Sequence, residues 1–139
     1  MKNFIVIILL VTSLISCESN DETNLESTNL IGEWIQVASF GDIGNGSVFE
    51  VEIEDGEELA FFENGTFTSD RFAECTTGTF FLEEGTLFLN YSCQGFESEF
   101  ENEDGFITFG IELESDSFTI SPTSGFICIE ACGERYERR

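Results

Sequence analysis

From residue 33 onward the chain alternates apolar and polar positions in short runs separated by glycine, and no long stretch repeats apolar residues at helical spacing. The run at 49–54, Phe-Glu-Val-Glu-Ile-Glu, is the plainest, with one oily face and one acidic face closed by Asp55-Gly56. Residues 58–63 and 66–72 flank Asn64-Gly65, a hairpin signal because both residues tolerate positive φ. A second hairpin is predicted from 78–82 and 86–91 around Glu83-Glu84-Gly85, and a third from 96–101 and 106–113 around 102–105. Strands at 33–40, 118–121 and 135–137 bring the expectation to about nine or ten short strands, the spacing of an all-β barrel or sandwich of sequential hairpins.

The first residues follow a different pattern. Lys2 gives a charged start, and residues 4–15 are almost unbroken apolar, the length of a signal segment and too short to span a bilayer. Leu14-Ile15-Ser16-Cys17 then resembles the lipobox of bacterial lipoproteins. The resemblance implies cleavage after residue 16 and a diacylglyceryl group on the Cys17 thiol; the alternative is an ordinary secretory signal with an accidental cysteine. Each buried acyl methylene contributes about 0.8 kcal/mol, so two or three chains form a durable anchor. Residues 17–29 are too polar to bury anything and read as an acidic tether, reaching roughly 40 Å when extended. Glu18, Asp21 and Glu22 resemble the acidic export signal that sends some Gram-negative lipoproteins to the outer face of the outer membrane. The expected organisation is a signal at 1–16, lipidated Cys17 and tether through 29, and one domain over 30–139.

Charge narrows the partners. Without residues 1–16 the chain keeps four arginines against 28 acids, 4 − 28 = −24. Nucleic acid is excluded, since phosphate binding needs clustered Lys and Arg. The same field holds the domain off an anionic membrane, leaving the lipid anchor as its membrane contact, and attracts cationic proteins or metal ions. Solubility of a small apolar domain accounts for such a surface equally well.

Cys75, Cys93, Cys128 and Cys132 are an even set in an exported chain and read as two disulfides. A metal site is the weaker alternative, because the chain has no histidine and no CxxC. If Glu83-Glu84-Gly85 is a three-residue loop, facing residues in that hairpin sum to 168, as do 75 and 93. Cys75 and Cys93 would then face each other on the side shared by Phe81, Leu87, Leu89 and Tyr91, whereas a two-residue loop would misalign them. Cys128 and Cys132 would close a small loop by elimination, unless one of them reaches Cys75 or Cys93 across the domain.

Leu30-Ile31-Gly32-Glu33-Trp34 resembles the G-x-W signature of lipocalins and of the looser lipocalin-like domain family of bacterial envelope lipoproteins. Residues 59–67, Gly78-Thr79-Phe80, 128–132 and Tyr136-Glu137-Arg138 are similar to the corresponding parts of that family, so the resemblance runs from Leu30 nearly to the end. It implies an antiparallel up-and-down β-barrel of about 8–10 strands, with Gly32 and Trp34 closing one end and Arg138, or its rival Arg135, lying over the indole.

Small barrels either fill with side chains or hold one apolar ligand. Phe61, Phe67, Leu87, Leu89, Tyr91, Ile107, Phe109 and Ile111 are the expected inward set, whether as packed core or as the lining of a pocket for a small hydrophobic molecule. Catalysis is not expected: the mature chain lacks histidine and lysine, and no carboxylate pair stands out among so many. The turn acids at 101–104 and 50–58 lack the spacing of a calcium loop and read as solvated, so no metal or cofactor is expected. The readings that survive are a monomeric, outer-membrane, lipid-anchored carrier of a small hydrophobic ligand, and an acidic envelope protein that captures a cationic partner, for example as a lysozyme-type inhibitor.

Overall fold

A computed structural model describes residues 28–42, 44, 46–126, 128 and 131–139. The signal segment, Cys17 and the tether up to residue 27 lie outside them. Nine strands follow in order: β1 Gly32–Asp42, β2 Val48–Glu52, β3 Glu58–Phe61, β4 Thr66–Ser69, β5 Thr77–Glu83, β6 Thr86–Tyr91, β7 Ile107–Leu113, β8 Ser117–Pro122 and β9 Cys132–Arg138.

From β3 to β9 each strand pairs antiparallel with the next, and β1 joins both β3 and β9. Eight strands therefore close an up-and-down barrel, and β2 is an extra strand outside it. β1 is long enough to serve two partners on one edge: residues 32–35 pair with β3, and residues 38–42 pair with β2. Closure leaves the barrel strands without free edges.

Inward positions recur at every second residue, as the alternation predicts. Leu59 and Phe61 of β3, Phe67 and Ser69 of β4, Leu87, Leu89 and Tyr91 of β6, and Phe118 and Ile120 of β8 are all buried. The Asn64 carboxamide oxygen accepts from the Thr66 amide (3.1 Å) and hydroxyl (2.6 Å), fixing the β3–β4 turn.

Two expectations are corrected. Residues 96–101 form no strand: β6 ends at Tyr91 and the chain crosses the barrel end through residue 106 before β7. Cys93 ties this crossing to Cys75, and Asn102 Oδ1 accepts from the amides of Asp104 (3.0 Å) and Phe106 (2.9 Å), setting a turn in place of a ladder. Phe96 and Phe100 fold against Phe72, with ring centroids at 5.2 and 6.3 Å.

The second correction concerns register. Glu84 (φ 48°) and Gly85 (φ 72°) both adopt left-handed backbone, giving a two-residue turn of the kind that matches strand twist. Glu83 pairs with Thr86 and Gly78 with Tyr91, so facing residues sum to 169. Phe81 thereby turns outward and stacks on Phe88 at 4.4 Å. The Cys75–Cys93 bridge forms regardless, with Cα atoms 5.6 Å apart, because Cys75 precedes β5 and Cys93 follows β6. It staples two loop ends, not two facing strand positions. Cys128 and Cys132 make the second bridge, Cα to Cα 6.0 Å, at the start of β9.

β2 is a strand where the alternation predicts one, and all five of its residues are exposed.

Candidate functional site

At the end where β1 begins, Trp34 is buried, and its indole N–H donates to the Leu30 carbonyl at 2.8 Å. The Arg138 guanidinium lies 4.2 Å from the indole centroid and donates to the carbonyls of Ile31 (3.0 Å) and Asn29 (2.9 Å). Gly32 makes this approach possible. A methyl group built there would come within 2.5 Å of Arg138 Nη1, and its φ of +138° is one that side chains resist. Arg135 instead points outward to Glu50, at 2.8 and 3.0 Å.

Above this base the axis is aromatic. Trp34 meets Phe118 (4.8 Å), which stacks on Tyr136 (4.8 Å) and reaches Phe61 (6.5 Å); Phe61 touches Phe80 (4.7 Å) and Phe67 (6.3 Å), and Phe67 touches Tyr91 (5.0 Å). Of the expected inward set, Phe61, Phe67, Leu87, Leu89, Tyr91, Ile107 and Phe109 are buried together in one cluster, and Ile111 packs half-buried against it. Of these rings, Phe61 and Phe67 are a facing pair on adjacent strands, and Phe61 reaches Phe118 of β8 across the barrel.

A charged group stands at the far end of this column. Arg71 donates through Nε to Glu57 Oε2 (2.9 Å), through Nη2 to Tyr136 Oη (3.0 Å) and to Glu134, and lies over the Phe109 ring at 5.4 Å. The Tyr136 hydroxyl is 2.8 Å from Glu57 and 2.9 Å from Glu134, while Ser69 Oγ donates to Glu57 (2.6 Å) and accepts from Tyr91 (3.2 Å). Burial opposes the Arg71 charge, yet Glu57, Tyr136 and Glu134 together hold its pKa above the ordinary arginine value. Burial, reinforced by the charge of Glu57, holds the Tyr136 hydroxyl well above the tyrosine range, and burial pushes Tyr91 up to about 12. Among the described residues no buried side-chain polar atom lacks a hydrogen-bond partner. Sequence reasoning missed this group. Its one visible trace was an arginine at 71 among strand residues in a chain so poor in cations.

Open clefts lie around the perimeter. One of about 480 Å³ opens beside the barrel base, between residues 28–31, the β3–β4 turn and β5, walled by Ile31, Phe62, Phe80, Phe81 and Leu82. Phe62 and Phe81 are 44% and 43% exposed there. A second of about 450 Å³ lies among the crossing loop residues, from Phe72 to Phe100, with Glu74, Glu97 and Glu99 on its walls. Among the described residues no group of three or more Cys, Asp or Glu side chains is placed to hold a metal ion. Compared with known proteins, the chain matches no family model and no curated protein.

Proposed function

We propose that this chain is a lipocalin-like lipoprotein of the outer membrane, acylated at Cys17, that binds a small hydrophobic molecule and catalyses nothing. The stack of Arg138 on Trp34, made possible by Gly32, supports the lipocalin-like kinship, since it reproduces the closed barrel end that the G-x-W resemblance implies. The seat of the ligand differs from a central calyx. Buried rings fill the axis, where Phe61 of β3 meets Phe118 of β8 at 6.5 Å, and opening it would strip these two of each other.

The observation that carries the ligand reading is the 480 Å³ cleft, within the size range of small-molecule sites, with two phenylalanines exposed on its walls. The test is titration of residues 18–139, secreted without the acyl group, with the neutral fluorophore N-phenyl-1-naphthylamine. Saturable 1:1 binding that is lost in Phe62→Ser and Phe81→Ser variants is expected. Binding that survives both variants and is lost on opening the Phe61–Phe67 core places the ligand in the axis; no binding at all removes the carrier reading.

The charge of −24, 4 − 28, supports a second reading, capture of a cationic protein. Each arginine beyond Cys17 already has partners: Arg71 with Glu57 and Glu134, Arg135 with Glu50, Arg138 with backbone carbonyls and Trp34, Arg139 with Glu58 at 2.6 Å. A cation brought by a partner therefore competes with arginine at the acids these four hold, Glu50 among them, and finds many more acids than arginines over the rest of the surface.

A further inference from the structure

We infer that the free edge of β2 is a strand-addition site for an extended, cationic segment of another protein. This rests on the capture reading and is independent of the hydrophobic-ligand reading.

The edge follows from the ladder. Ile53 N–H donates to the Val37 carbonyl at 2.8 Å, so 37/53, 39/51 and 41/49 are the hydrogen-bonded pairs of β1 and β2. The backbone groups of the alternate residues, Val48, Glu50 and Glu52, then point away from β1, where β2 has no strand partner among the described residues. Closure has removed such edges from the barrel itself, and β2 is the strand of the described sheet that has only one neighbour.

Native proteins blunt an exposed edge with lysine, proline, a bulge or a covering loop. β2 has no lysine and no proline, and all its residues are exposed, Phe49 by 46% and Val51 by 50%. What guards it is acid. Glu50 and Glu52 lie on the strand, with Glu54 and Asp55 just beyond, against Arg135 as the one cation in contact among the described residues. Antiparallel pairing of β2 with a second copy would oppose Glu50 and Glu52 to each other, and like charges directly across a ladder destabilise it. The same acids favour a strand that sets Lys or Arg opposite Glu50 and Glu52. Between them it would set apolar residues beside Phe49 and Val51, which share the other face. Main-chain bonds supply the pairing and alternating side chains the selection, as in strand addition generally.

The probe is a fluorescent ten-residue peptide alternating lysine with valine, its control the glutamate–valine counterpart, offered to the full chain in phosphatidylcholine nanodiscs. The lysine peptide is expected to bind, to weaken at least about tenfold as salt shrinks the Debye length from about 10 Å to 3 Å, and to slow amide exchange at Val48, Glu50 and Glu52. Glu52→Pro removes an edge donor without removing a β1 bond, and is expected to lower affinity at least about tenfold. Glu52→Gln, which keeps the donor, is expected to lose about threefold. Unchanged Trp34 fluorescence reports that both variants keep the barrel.

Failure to bind, or binding insensitive to salt, overturns the capture reading and this site with it. Salt-sensitive binding that Glu52→Pro leaves intact, or that both variants weaken equally, overturns the edge alone. A dimer abolished by Glu52→Pro gives the edge to a second copy and overturns the cationic occupant.

Discussion

Arg71 is a scarce cation spent on an interior position, and that makes its neighbours dependent on it. The Glu57 side chain is only 9% exposed, and it shares its oxygens among Arg71, Tyr136 and Ser69. Removing one partner of such a buried pair leaves the other charge uncompensated, which costs more than the pair itself contributes. Arg71→Met is therefore expected to destabilise by about 2 kcal/mol, below the full buried-pair loss because Glu134 keeps contact with water. Adding Glu57→Gln should restore part of that loss in urea denaturation. A double variant less stable than Arg71→Met alone would contradict this account. Tyr91 supplies a second test. Unfolded tyrosine loses its proton near pH 10, whereas folded Tyr91 keeps its own to about 12. Between those values the native state holds more protons than the unfolded one, so stability present below pH 10 is lost as pH rises. The loss through this residue amounts to about 2 to 3 kcal/mol by pH 12, and Tyr91→Phe should flatten that part of the alkaline limb. Unfolding free energies equally steep in variant and parent would assign the limb to Tyr136 or to other groups.

The elements were legible where local pattern decides them. Apolar–polar alternation and Asn64-Gly65 located β3 and β4, and the inward residues of β6 and β8 follow from period two alone. Misreadings arose where one residue of turn geometry or a distant partner decides. Positive φ at Glu84, a residue that seldom adopts it, shortened a loop by one position and moved Phe81 from core to cleft wall. The alternation at 96–101 met a chain already held by Cys93, and the bridge took precedence over the ladder. That bridge links residues 18 apart, the other residues 4 apart. Loop-closure entropy grows with the logarithm of length, so replacing Cys75 and Cys93 by alanine is expected to cost about 3 kcal/mol and replacing Cys128 and Cys132 about 2. The first pair also orients Phe96 and Phe100, and its loss should release their packing on Phe72 as well. Denaturant midpoints of the two double variants measure this, and an equal or reversed order would mean that the 128–132 bridge holds more of β9 than its span implies.

At the scale of the whole molecule two electrostatic effects oppose each other, and salt separates them. The first is local attraction. Arg135–Glu50 and Arg139–Glu58 are exposed pairs of the kind that contribute roughly 0.2 to 1 kcal/mol each and weaken as salt is added. The second is self-repulsion among 28 acids relieved by four arginines beyond Cys17, a field that favours the expanded chain and also weakens with salt. With a Debye length of about 30 Å at 0.01 M, acids across the whole barrel feel one another, whereas at 1 M a range of about 3 Å leaves only direct neighbours. The pairs are few and the repelling acids many, so repulsion outweighs attraction. Sodium chloride raised over that range is therefore expected to increase the melting temperature of the barrel by several degrees, on the scale of about 1 kcal/mol for a domain of this size. The partly buried Arg71 group is screened least and should hold its contribution throughout. A melting temperature that falls as salt rises would mean that paired arginines, not surplus acid, dominate the field, and would weaken the case for a surface kept open to cations.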